Sequence, residues 1–126
     1  IKIFSMDRVT QFSHTAEKFK LPKDFNPQTY FDDCFGIINN DDIPLETLRL
    51  KVYNDQDYFL RDLPLHPSQR ELQYTDDYTI FEFDIKITFD LMQEIMSHGE
   101  DWEVLAPQHL REEIKRRVQK MNGLYK

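Results

Sequence analysis

Four histidines, one cysteine and several acid pairs are the side chains with which this chain could do chemistry. His14, His66, His98 and His109 stand far apart, and none is at metal-ligand spacing from Cys34 or from another histidine. A zinc site needs about four converging donors, so the sequence calls for no metal. It contains no G-x-S-x-G, phosphate-loop or dinucleotide motif. Asp32-Asp33, Asp41-Asp42 and Asp76-Asp77 fall where turns or solvated helix faces are expected. Capping and hydration account for them. No residue cluster suggests an enzyme or a cofactor.

Anion binding is the chemistry that remains. The stretch Arg61-Asp62-Leu63-Pro64-Leu65-His66-Pro67-Ser68-Gln69 is bounded by prolines. Arg61 at a helix end, followed by His66, Ser68 and Gln69, could present donors to an anionic ligand. The same residues could equally form a rigid connection in which His66 and Gln69 satisfy backbone groups. Residues 107–126 hold six basic side chains against two acids, net +4, while residues 1–106 carry −11. The basic helix reads first as a solvated polar face and second as a surface for phosphates or an acidic partner. So acidic a remainder disfavours duplex DNA as a ligand of this piece by itself.

Those residues are positioned by elements that the pattern makes legible. Ile3-Phe4-Ser5-Met6 and Val9-Thr10-Gln11-Phe12 predict two short strands. Asn26-Pro27 can open a short helix, with Phe31, Cys34, Phe35 and Ile38 on one apolar face. Cys34 is therefore read as packing. Asn39-Asn40-Asp41-Asp42 and Pro44 mark a boundary, which divides the chain into residues 1–43 and 44–126.

Beyond the boundary, Leu48, Leu50 and Val52 alternate with polar residues, as a half-buried strand requires. Asn54 or Asp55 can cap a short helix carrying Tyr58, Phe59, Leu60 and Leu63. Leu72 and Tyr74 suggest a second strand, and Phe81, Phe83, Ile85 and Ile87 a long third one. Thr88 can cap a helix with Phe89, Met92, Ile95 and Met96 turned inward, and Gly99 suits its end. Trp102 and Val104 fit a short fourth strand. Pro107 opens a last helix in which Leu110, Ile114, Val118 and Met121 recur at helical spacing. The expected fold class is α+β: a ferredoxin-like βαββαβ unit with an extra C-terminal helix, preceded by two strands and a short helix.

Composition narrows the class further. With 126 residues, 40% of them hydrophobic, the chain is long enough for one domain and an appended piece. No apolar run approaches the roughly 20 residues of a membrane span. One cysteine permits no internal disulfide, which fits a reducing compartment and a cytoplasmic location. The opening Ile1-Lys2-Ile3-Phe4 is already strand-like and reads as part of a longer protein.

Ile1-Lys2-Ile3-Phe4-Ser5-Met6-Asp7-Arg8-Val9 resembles the closing strand of the WYL domain, an Sm-like barrel. Phe19 through Phe25, and Tyr30-Phe31 to Ile37, are similar to the segment that leaves that barrel. From Leu48 to Tyr125 the chain resembles the WCX extension of bacterial WYL transcriptional regulators. Leu60-Arg61, Leu63-Pro64-Leu65-His66 and Ser68-Gln69 look typical of versions from Bacteroides-like bacteria. The resemblance implies a dimeric regulator that touches duplex DNA only through an N-terminal winged helix-turn-helix lying outside this chain. It implies a ligand-sensing or dimerisation module whose effector is single-stranded nucleic acid or a nucleotide-type anion. By position, Lys2 and Arg8 match basic places of the ligand surface. Arg61, His66 and Gln69 complete the expected ligand-binding set, with Tyr58 available to stack on a base. A purely structural oligomerisation module with no ligand of its own is the alternative.

Overall fold

A computed structural model describes residues 1–126, and its order begins where the alternation begins. In β1 (Leu45–Tyr53) Leu48, Leu50 and Val52 are buried; in β3 (Tyr78–Lys86) Phe81, Phe83 and Ile85 are buried. A side-chain period of two turns each set to one face of the sheet. The two strands pair antiparallel along their whole length, with Leu45 opposite Lys86 and Tyr53 opposite Tyr78. β2 (Arg70–Tyr74) joins the free side of β3, and β4 (Trp102–Ala106) the free side of β1. The result is a four-stranded antiparallel sheet of order β2-β3-β1-β4. Both outer pairings carry a register shift, a common feature of sheet edges.

Three helices seal one face of that sheet. α1 (Asp57–Asp62) contributes Leu60 to the core, and α2 (Phe89–Ser97) contributes Leu91, Met92 and Ile95. α3 (Gln108–Leu124) contributes Leu110, with Ile114 packed against the cluster. Burying a side chain of this size stabilises by about 1.5–3 kcal/mol relative to leaving it in water. Val118 and Met121, expected to continue the α3 stripe inward, are exposed. The reason is reach: seventeen helical residues rise about 25 Å, whereas the five residues of β4 span about 17 Å.

Local chemistry departs from expectation at two helix starts. Asn54 and Asp55 do not cap α1; both lie in the left-handed region, with φ of 55° and 58°, and turn the chain out of β1. Short polar side chains tolerate that conformation. Thr88 has the extended backbone of an N-cap, but its hydroxyl donates to the Asp90 carboxylate rather than serving the helix backbone. Gly99 fulfils its expected part just past α2, at φ 55°, where glycine carries no penalty.

Residues 1–43 depart further from the expected elements. The two expected strands do not form: this stretch holds one 3-10 turn, Met6–Arg8, and otherwise turns and irregular chain. Strands need partners, and a lone two-stranded hairpin is marginal in water. The helix expected after Asn26 is absent as well. Asn26 accepts from the Gln28 amide at 3.0 Å, and successive turns follow. So short a helix lacks stability of its own, and bonds to the sheet compete with it. Asp33 O accepts from the Lys86 amide at 2.8 Å, and Lys86 Nζ donates to Asn39 Oδ1 at 2.8 Å. Cys34 and Phe35 thereby reach the core side, while Phe31 and Ile38 stay exposed. Gly36 lies against the Asp90 carboxylate, which would have to shift if a β-carbon stood there.

Cys34 is buried, and burial pushes its thiol pKa up. Iodoacetamide should label it slowly in the native protein and quickly in urea. Equal rates would show that residues 31–38 leave the domain surface easily.

Candidate functional site

The Arg61–Gln69 stretch folds into a closed set of internal bonds. The Arg61 guanidinium meets Asp57 at 2.6 Å and Glu71 at 2.9 and 3.1 Å. It lies 5.7 Å from the Tyr58 ring centre and 5.4 Å from that of Tyr74. His66 is buried, and its Nε2 donates to Asp32 O at 2.6 Å. A carbonyl can only accept, which fixes the tautomer, and Nδ1 then accepts from the Ser68 amide at 3.2 Å. Gln69 accepts from the Leu65 amide at 3.0 Å and donates to Leu60 O at 2.6 Å. Of the two readings the sequence leaves open for this stretch, these bonds match the rigid connection: His66 and Gln69 serve backbone groups, and Arg61 meets acids.

Lys2 and Arg8 are placed differently. Both are exposed, and neither makes an ion pair within the chain. Arg8 lines a hollow of about 570 Å³ with Ile3, Phe4, Val9, Ile37 and Ile38. Lys2, Arg61, His66 and Gln69 do not line it, so the structure does not gather the five residues into one site.

The sheet face turned away from the helices is a lattice of paired charges. Glu82 lies between Arg49, at 2.5 Å, and Arg70, at 2.6 Å. Arg70 also contacts Asp84 at 2.8 Å. Toward the other end, Tyr53 donates to Glu103 at 2.8 Å, and Lys51 Nζ sits 3.9 Å from the Tyr78 ring centre. Beneath the helices, the buried Asp57 carboxylate accepts from the Thr79 hydroxyl at 2.9 Å. No group of three or more His, Cys, Asp or Glu is arranged to hold a metal ion. Sequence spacing does not reveal these pairs, because cross-strand register decides them. The alternation of Arg49 with Lys51, and of Glu82 with Asp84, is the signal that was available.

The pairing sets how stability responds to acid. Arg49 and then Arg70 hold Glu82 below the usual carboxylate range, and Arg70 does the same for Asp84. On α3, Arg116 and Arg117 bring Glu113 down to about 2. A carboxylate whose pKa is lower folded than unfolded adds stability above its unfolded value and loses it as pH falls through the folded one. The thermal midpoint should therefore fall progressively from about pH 5 to about pH 2. Glu82→Gln should flatten that descent in melts followed by circular dichroism; an unchanged descent would mean that Glu82 carries none of it.

A cleft of about 480 Å³ opens between α1 and α2, with Phe59, Leu63, Pro64 and Trp102 among its walls and Asp62 and Glu94 beside them. The His98 ring stacks on Trp102 at 3.7 Å, with 2° between the planes. Trp102 Nε1 is buried without a hydrogen-bond partner.

An antiparallel sheet sealed on one face by helices, with its polar face internally paired, defines a two-layer α+β domain. The family profile of the WCX domain matches residues 44–121, and the chain belongs to that family. WCX domains occur in WYL-domain regulators, and this match fits a regulatory module. No curated protein matches it. No helix is long and apolar enough to cross a membrane.

Proposed function

We propose that this chain is the effector-sensing and dimerisation module of a bacterial transcriptional regulator, working in the cytoplasm and carrying no catalytic activity. The WCX match over residues 44–121 carries the reading. We also read the sheet order β2-β3-β1-β4, with α1 and α2 as crossovers, as the ferredoxin-like arrangement. Effector binding would favour one arrangement of the regulator's domains over another and so shift its population. The effector is an anion of nucleic-acid or nucleotide type, contacted by the unpaired cations Lys2 and Arg8, which are free to meet phosphate. The charge saturation around Arg61 favours a second reading, an oligomerisation module with no ligand of its own.

Titrating the chain with a short fluorescent single-stranded oligonucleotide at several salt concentrations separates the two. Under the first reading, Lys2→Ala with Arg8→Ala weakens binding and lowers the salt slope by about 1–2. Arg61→Ala leaves both nearly unchanged, since Asp57 and Glu71 already neutralise it. No binding at low salt would leave the structural module standing.

A further inference from the structure

We propose that the C-terminal half of α3 from a second copy of this chain fills the cleft between α1 and α2, each copy giving its helix and receiving the other's. This deepens the dimerisation part of the reading above by naming the surfaces. Leu110, Ile114, Val118, Met121 and Tyr125 form one stripe at helical spacing, and only its first two members meet the core. Beyond Ile114 the stripe runs past the sheet into solvent; Tyr125 is 84% exposed. Apolar helix face left in this state is a surface in want of a partner. The helix cannot fold back into its own cleft, because it is continuous from Gln108 to Leu124 and Leu110 anchors its first half.

The cleft complements that helix end in apolar surface and in charge. Phe59 and Leu63 on its wall are 66% and 81% exposed, so the apolar surface is open to an incoming stripe. Asp62 makes no ion pair within the chain, and Glu94 has only His98, at 3.2 Å. Lys115, Lys120 and Lys126 on or beside the helix end are likewise without ion pairs. A helix end of net charge +4 thus meets acids belonging to a body of −11. A twofold axis makes the contact twice, as isologous dimers do.

Sedimentation equilibrium of the 126-residue chain over a range of concentrations is the test. The expected result is a reversible dimer, weakened about 30-fold or more by Leu63→Asp in the cleft and equally by Tyr125→Asp at the helix end. Mixing the two variants should restore part of the association, since the mixed pair keeps one intact contact. Asp62→Lys, on an exposed side chain, should weaken the dimer while leaving the melting curve unchanged, and Lys120→Glu with Lys126→Glu should recover it. A monomer at every concentration, a dimer indifferent to Leu63→Asp and Asp62→Lys, or variants that do not complement would each overturn the proposal. Oligonucleotide titration of the same variants is a separate readout: loss of effector binding at Lys2 and Arg8 leaves the dimer intact, and the reverse holds for Leu63.

Discussion

Truncating Phe83 to alanine is expected to lower the stability of the domain by about 4 kcal/mol. Phe83 stands in the middle of β3, an interior strand of the sheet, and is 0% exposed. Its ring belongs to the cluster in which Leu48, Leu50, Leu91 and Ile95 are also buried, so its removal leaves a cavity that rigid neighbours close only in part. Domains of this size are stable by only about 5–15 kcal/mol, so the variant sits near the edge of folding. Urea unfolding should show an earlier midpoint with an unchanged slope. Phe12→Ala is the control: the same side chain at 87% exposure should change stability by about 0.5 kcal/mol or less. Equal effects at the two positions would mean that the helix-covered sheet face is not the core.

The contrast between those two phenylalanines also measures what the sequence can and cannot disclose. The β-α-β-β-α-β-α succession after residue 44 is legible because alternation is a strong signal wherever one face is buried, as with Leu48, Leu50, Val52 and Phe81, Phe83, Ile85. Before residue 44 the residue types favour strands, but nothing in this chain pairs with them, and propensity without a partner does not make a sheet. At the α1 connection Arg61, His66 and Gln69 are identifiable as residues with a task, yet their partners are not. Asp57, Glu71 and Asp32 become neighbours only through the turn of α1, the register of β2 and the docking of residues 32–40. Spacing names candidates; packing decides whether their hydrogen-bonding capacity is left over for a ligand. The Trp102–His98 stack is hidden for a different reason. His98 ends α2 and Trp102 begins β4, so the intervening 3-10 turn Gly99–Asp101 sets their contact.

Docking of the N-terminal segment onto the domain depends on His66, and His66→Ala should therefore cost about 3 kcal/mol and loosen that segment selectively. The imidazole joins three pieces: its Nε2 holds Asp32 O at 2.6 Å, its Nδ1 accepts from the Ser68 amide, and Ser68 Oγ in turn accepts from the Asp84 amide at 2.9 Å. Alanine leaves the Asp32 carbonyl and the Ser68 amide without partners in a partly buried place, and unmet groups of that kind cost about 1–3 kcal/mol each. The neighbouring bond from the Lys86 amide to Asp33 O, 2.8 Å long, then loses its support. Hydrogen exchange at the Lys86 amide should quicken well before exchange at Phe83, and Cys34 should become open to iodoacetamide under native conditions. His66→Gln, whose amide can still donate toward Asp32, should recover part of both protections. A His66→Ala variant with native exchange at Lys86 and a shielded Cys34 would show that Asp33, Asn39 and the buried Cys34 hold the segment without the histidine. Such a result would free His66 to be counted again with Lys2 and Arg8 among the residues available to an effector.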